Sequence, residues 1–500
     1  MSRSLQVVVL ALLLAGFAFG AGELGRARGA MAASTRHVER PDGALSFSDE
    51  EPLELPAHIR RILAGGGPTP DLDQVSLEED VALAQRMVPA EGTIVLFAGG
   101  AGTRAVQERD PSPEGDSVVF ALGNLFSPRG GRDAHYRRTR LSLHGGASVD
   151  EIFAAFELAL PDGDDPLFFY FTGHGRGGAT PADALAQTWG NAGFDPRTFA
   201  EQMEDLGTER RVRVVVTSCF SGGFAEIAFR GADETLGPTE QDRCGIFSTS
   251  WDRESGGCDS DTDRAVHEGF GVYFLSALGG RDRDGNDARA RIDRDHDGTI
   301  TLLEALAEVR IASRAIDVPI TTSERLLRSV APEEGEAVPV SLPEESAVID
   351  ALLAALHLDS VEAVERSLEM LRAREEENTD ALTEAYAEAD DRAAEVAGAV
   401  LSRWPVLDDP YHPDYPAMLR EAHDELREFF ESEEAIAWAE AEDDASALQT
   451  ANDGLEVEIA VHLRVLQAAE TLALAGRLAA RGGPSWERFQ AMRACEASAP

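Results

Sequence analysis

Two uninterrupted apolar runs constrain this chain most: Leu167-Phe168-Phe169-Tyr170-Phe171-Thr172 and Val214-Val215-Val216-Thr217. A strand with no polar alternation has no solvent face, so it belongs inside a mostly parallel sheet covered on both sides. The first run leads into Gly173-His174-Gly175, the second into Ser218-Cys219-Phe220-Ser221-Gly222-Gly223. The carboxyl ends of parallel strands open into the crevice where such sheets bind ligands. An imidazole and a thiol delivered there are candidates for a nucleophile and its proton partner.

The surrounding pattern predicts alternating strands and helices. Strands are expected at Thr93–Phe97, Val118–Leu122, 167–172, 212–217 and 245–250. Helices are expected after a capping box at Ser76 and Glu79, from Ser148 and Glu151 to about Leu160, between Asp195 and Gly207, near Phe224–Phe229, and over Gly271–Leu278. Such alternation implies a sheet with helices on both faces. Residues 21–90 read as a linker or propeptide and 331–345 as an acidic, Pro-punctuated linker. Beyond it the period is helical: Ala347–Leu356, Val361–Asn378, Leu382–Trp404, Pro416–Ala445 and Leu455–Arg481. Residues 346–500 are therefore expected to form a helical bundle with Trp404 and Trp438 in its core.

The chain has 500 residues, too many for one ordinary core, and a net charge of −45. It contains no lysine, which excludes a Walker-type phosphate lysine, a lysine Schiff base and a lysine general base. The acidic excess argues against nucleic acid or an anionic membrane as a partner. The turn Ala98-Gly99-Gly100-Ala101-Gly102 lacks the third glycine of a dinucleotide loop. Residues 1–20 read as a signal peptide: Arg3, an apolar stretch from Leu5 to Phe19, then small residues. Export to a secreted or periplasmic location is expected, with an uncleaved N-terminal anchor as the alternative. Four cysteines would then meet an oxidising compartment; Cys244 and Cys258 are close enough in sequence to bridge, and Cys495 stands in a loose tail.

Tyr170-Phe171-Thr172-Gly173-His174-Gly175 and Ser218-Cys219-Phe220-Ser221-Gly222 resemble the His-Gly and Cys-containing strand ends of the caspase-like (clan CD) cysteine peptidases, closest to the legumain-type branch. Val95-Leu96-Phe97-Ala98-Gly99-Gly100 is similar to that branch's first strand and turn. The segment from Ser248 to Cys258 is similar to its post-cysteine strand and pocket loop. The resemblance spans about residues 91–280. It implies an α/β fold with a caspase-like sheet over 91–330. It implies Cys219 as nucleophile, His174 as proton donor, and an oxyanion hole from the amides of Gly175 and Cys219. Arg104, Ser255 and Glu268 would line the specificity pocket. Thr217 stands where the legumain-type pattern carries an acid, which argues against asparagine specificity. The acidic residues Asp252, Glu254, Asp259, Asp261 and Asp263 could receive a basic side chain or simply form an acidic surface.

Asp293-Arg294-Asp295-His296-Asp297-Gly298-Thr299-Ile300-Thr301-Leu302-Leu303-Glu304 matches an EF-hand calcium loop. Asp293, Asp295 and Asp297 would supply side-chain oxygens, Thr299 a carbonyl and Glu304 a bidentate carboxylate to Ca2+. The entering helix is too short for a full EF-hand, and Asp282, Asp284 and Asn286 resemble an incomplete second loop. The sequence therefore points to a secreted, calcium-stabilised cysteine endopeptidase acting on peptide or protein substrates. A transpeptidase would share the chemistry. A non-catalytic calcium-binding interaction protein on a degenerate scaffold is the alternative of another class. The helical region would serve as an autoinhibitory prodomain or a partner-binding surface.

Overall fold

A computed structural model describes residues 53–109, 115–126, 134–160, 166–207 and 210–500. The expected signal peptide lies outside the described residues. Chain order begins β1 (Arg61–Gly65), α1 (Val75–Met87), β2 (Thr93–Phe97), β3 (Arg104–Arg109), α2 (Ser117–Phe126), β4 (Ala134–Arg138) and α3 (Val149–Ala159). Next come β5 (Leu167–Thr172), β6 (Gly175–Arg176), β7 (Leu185–Thr188), β8 (Ala192–Phe194), α4 (Pro196–Asp205), β9 (Val212–Thr217) and β10 (Arg243–Phe247). Then follow α5 (Phe270–Leu278), α6 (Arg289–Ile292), α7 (Leu302–Ala312), β11 (Ile320–Thr321) and α8 (Thr322–Val330). The remainder is helical: α9 (Pro343–Leu356), α10 (Val361–Arg403), α11 (Tyr415–Phe430), α12 (Glu433–Arg481) and α13 (Pro484–Glu496).

The main sheet has six strands in the order β11-β10-β9-β5-β1-β2. Five are parallel, and only the edge strand β11 runs antiparallel to its neighbour. Alternate residues of each strand enter different cores. Leu63, Phe168, Tyr170 and Val215 pack against Val81 of α1, Phe274 of α5 and Leu306 of α7. Ile62, Phe169, Phe171 and Val214 pack against Phe156 of α3, Phe199 of α4 and Phe224. Both faces are covered, which is why the β5 and β9 sequences carry no polar alternation.

Several expectations need correction. The linker expected over 21–90 does not reach residue 90: Arg61–Gly65 is a central strand between β2 and β5, and the helix expected near Ser76 runs over Val75–Met87. Ser76 lies inside that helix, where its hydroxyl accepts from the Asp259 amide (2.8 Å) instead of capping the helix. The expected strand at Val118–Leu122 is helix α2, whose Val118, Leu122 and Leu125 pack among α10, α11 and α12. The caps foreseen at Ser148 and Asp195 are present, each accepting an amide three residues on. Phe224–Phe229 falls in a 3-10 helix over Ser221–Ala228.

The C-terminal region is all helical, but it is docked rather than separate. The helix α10 has 43 residues and α12 has 49, and contacts such as Ser367 to His462 show them running antiparallel. Trp404 and Trp438 are buried in the cluster at their distal end. Nearer the sheet, α9 packs its Val348 and Leu352 against Ala307 of α7. Cys495, expected in a loose tail, sits on α13 and forms a disulfide with Cys244 of β10, with a Cα–Cα distance of 6.0 Å. The Cys244–Cys258 bridge that the spacing allowed does not form, and Cys219 and Cys258 are the free thiols. No helix among the described residues is long and apolar enough to cross a membrane.

Candidate active site

The two apolar runs lie side by side, with Thr172 of β5 directly paired with Thr217 of β9. His174 and Cys219 each follow their paired threonine by two residues, so the register itself delivers them to the same end of adjacent strands. The backbone between them is in close contact. A Cβ placed on Gly175 would lie 1.9 Å from the Cys219 carbonyl oxygen, so only glycine lets the His174-Gly175 turn approach the cysteine this closely. Gly222 and Gly223 play a similar packing role. A methyl on either would collide with Ser250-Trp251 backbone or with Ala184.

His174 is fixed by its Nε2, which lies 2.9 Å from the carbonyl oxygen of Leu72 and 2.9 Å from Oε1 of Gln74. Both partners accept, so the neutral ring carries its hydrogen on Nε2 and keeps a lone pair on Nδ1. Burial lowers the His174 pKa, opposed by the Leu72 carbonyl and the charge of Asp71. The ring is therefore neutral at pH 7 and able to take up a proton.

Cys219 follows the last strand residue by two positions and precedes Phe220, which holds a left-handed conformation (φ 59°). The Phe220 amide donates to the Arg253 carbonyl (2.8 Å), and the Ser255 amide points at the Cys219 sulfur (3.4 Å). The loop after β10 thus wraps the thiol. Burial pushes the Cys219 thiol up to about 11; the Ser255 amide opposes this, while Glu254 and Asp317 add to it. The resting pair is a neutral thiol and a neutral imidazole rather than a preformed ion pair.

A small pocket lies beside the sulfur, lined among others by Asp80, Thr217, Cys219, Cys258, Arg264 and His267. Glu79 approaches His267 (3.3 Å) and Arg264 (3.7 Å). Asp80 accepts a hydrogen bond from the Thr172 hydroxyl (3.3 Å), and burial raises its pKa to about 7. The Ser218 hydroxyl is buried with no hydrogen-bond partner among the described residues. The sequence places a helix after Ser76 but does not single out Asp80 on it, whose only signal is polarity on a helix that otherwise faces the core. His267 follows the 3-10 turn Arg264–Val266, where no regular period marks it.

Of the three residues expected in the specificity pocket, the structure brings only Ser255 to the sulfur. Arg104 begins β3, is exposed, and donates to the Tyr136 carbonyl (3.1 Å). Glu268 accepts from the Tyr273 hydroxyl and lies 3.5 Å from Arg283. Neither lines the pocket beside Cys219. Asp259, Asp261 and Asp263 bond to backbone amides two residues on, as surface turns do.

The acidic loop forms a second candidate site. Asp293, Asp295 and Asp297 each offer an oxygen within 4.8 Å of the others, an arrangement that could hold a metal ion. One Asp293 oxygen is buried with no partner among the described residues, as a group awaiting a cation would be. Gly298 holds φ 87°, and its amide bonds Asp293 (3.1 Å). Glu304 reaches back to the amides of Arg294 (2.7 Å) and Thr301 (2.9 Å), capping α7 while lying against the start of the loop. The Thr299 amide donates to Asp297 (2.6 Å). The short entering helix is α6, four residues long. No protein-family model matches this chain, and no curated protein matches it significantly.

Proposed function

We propose that the protein is a cysteine endopeptidase of the caspase-like type, with Cys219 as nucleophile and His174 as its proton partner. The observation that carries this reading is the paired register of β5 and β9, which sets the imidazole and the thiol at neighbouring strand ends with Gly175 against Cys219. The sheet order, five parallel strands and one antiparallel edge, supports it. On binding of a peptide, the Cys219 S–H proton passes to Nδ1 of His174 and the sulfur attacks the scissile carbonyl carbon. The amides of Gly175 and Cys219 would receive the developing oxyanion. Collapse breaks the C–N bond, His174 returns its proton to the leaving amine, and water hydrolyses the thioester. An amine in place of water would make the same intermediate a transpeptidation.

Asp293, Asp295, Asp297, the Thr299 carbonyl and Glu304 suit a hard cation, and Ca2+ fits an all-oxygen set best. Bound there, it would brace the start of α7 and take no part in the chemistry. The Cys244–Cys495 disulfide favours an oxidising compartment, in keeping with export. Profiling a peptide library with purified protein, with and without calcium, tests the reading. Cleavage that disappears in Cys219→Ala supports it. Absence of any cleavage, with Cys219 no more reactive toward iodoacetamide than an ordinary exposed thiol, favours a non-catalytic scaffold.

A further inference from the structure

The loop that wraps the sulfur is anchored from far away in sequence. Ser255 donates its hydroxyl to Asp317 (2.5 Å), and the amide of Gly256 donates to the same Asp317 oxygen (3.1 Å). The Ser255 hydroxyl also lies 3.0 Å from that of Ser248, which in turn accepts from the Ser218 amide (3.2 Å), one residue before the nucleophile. Asp317 is completely buried. It stands on the irregular segment between α7 and β11, which has no ladder of its own to fix it. That segment is held by Arg464, a fully buried side chain of α12 that donates to the carbonyls of Ser313 (2.8 Å), Ala315 (2.5 Å) and Asp317 (2.7 Å). Arg464 is also a cation felt by the Asp317 carboxylate. A chain of contacts therefore runs from α12 through Arg464, Asp317 and Ser255 to the Cys219 sulfur.

We propose that Asp317 is a positioning residue for Cys219 and that Arg464 is its brace, so that the helical region is a permanent part of the working site and not a prodomain to be shed. The inference rests on the peptidase reading above and deepens it. Asp317 touches no substrate; it fixes the loop that aims the Ser255 amide at the sulfur. A removable inhibitory tail would be expected to obstruct the site, whereas no residue of α12 lines the pocket beside the sulfur and Arg464 holds the segment that anchors its loop.

The test uses full-length variants, all kept oxidised at Cys244–Cys495. Asp317→Asn keeps one oxygen as acceptor for Ser255 and Gly256 but removes a negative charge beside the thiol; Asp317→Ala removes both. Arg464→Met keeps the stem and removes the donors. The rate of Cys219 alkylation by iodoacetamide against pH, and kcat and KM on a cleaved peptide, are measured with the melting temperature. Asp317→Ala and Arg464→Met should each lower the Cys219 rate and kcat about tenfold, the factor that accompanies loss of one buried hydrogen bond, with KM little changed. Asp317→Asn should recover most of the rate, with its alkylation profile displaced to lower pH. If Asp317→Asn and Asp317→Ala lower the melting temperature alike and leave rate and profile at wild-type values, Asp317 is structural only. If Arg464→Met speeds Cys219 capture, the helix is inhibitory and the proposal fails. The iodoacetamide arm reads placement of the sulfur without any peptide. A wild-type protein that cleaves nothing would therefore sink the peptidase reading while leaving the positioning result to be read separately.

Discussion

The interior of the sheet and the seam between sheet and helices are both dry, but they are built from opposite materials. The interior is phenyl rings and branched aliphatics: Phe156, Phe169, Phe194, Phe199 and Phe224 contact one another in one layer. The seam is ionic and hydrogen bonded. Arg310 pairs with Glu324 (2.8 Å), to which Gln467 and Thr471 also donate. Glu496 of α13 accepts from Thr322 and Ser323 at the start of α8. Arg493 pairs with Glu345 (2.6 Å). An apolar core responds weakly to pH or redox state, whereas paired buried ions lose their balance when either partner changes. The lesson is that the sheet carries the candidate catalytic side chains, while the seam sets the conditions under which the loop around them holds.

The comparison breaks most sharply at the disulfide, the covalent tie across the seam. Replacing Cys244 and Cys495 with alanine should destabilise the protein by about 2–4 kcal/mol, the usual worth of such a bond. Denaturant unfolding read separately at Trp486, beside the seam, and at Trp189, beside the sheet, should show the helical side loosening first. Coincident transitions with unchanged midpoint would mean that the tie contributes nothing.

Acidity should separate the two regions next. Burial raises Glu496 from the ordinary 4.5 to about 7 and Asp80 from 3.8 to about 7. A carboxyl raised in the folded state binds its proton more tightly there than in the unfolded chain. Its contribution is therefore intact below the ordinary pKa and is lost as pH rises toward 7. The melting temperature should fall across that window, and Glu496→Gln should flatten part of the slope. A slope unaltered by Glu496→Gln would remove the seam from this account.

Calcium should sharpen the contrast with a smaller effect, because the Asp293 loop closes on itself through local bonds and touches the seam only through α7. At a calcium concentration ten times a dissociation constant of about 1 mM, the gain is about 1.4 kcal/mol. Asp293→Ala combined with Glu304→Gln should abolish the calcium-dependent rise in melting temperature and leave the calcium-free value little changed. An equal rise in the variant would remove the metal assignment.

What the sequence reveals follows the same division. The strands β5 and β9 are legible because full burial writes itself as an apolar run, and their ends reveal His174 and Cys219. The strand β1, Arg-Ile-Leu-Ala-Gly, is too short and too close to Gly-Gly-Pro to stand out; it is a strand because β2 and β5 flank it. Thr379 and Asp380 read as a break but lie inside the continuous helix α10, where the Thr379 hydroxyl bonds back to Glu375 (2.8 Å). The helix expected over Pro416–Ala445 instead breaks at Ser432, which caps α12 by accepting from the Ala435 amide, and α12 runs on through the gap expected before Leu455. The seam itself was illegible. Cys244 and Cys495 stand 251 residues apart, and Arg464 and Asp317 stand 147 apart, so no local pattern links either pair.

The central claim is that Cys219 and His174 act as one unit on a peptide carbonyl. Mass-spectrometric timing of Cys219 capture by a set of peptidyl acyloxymethyl ketones, in wild type and His174→Ala, tests it most directly. The account predicts selective modification of Cys219 over Cys258, slowed by roughly 10²–10⁴ in His174→Ala, the range expected for loss of a general acid–base group. Equal, slow labelling of both thiols, indifferent to His174, would contradict it.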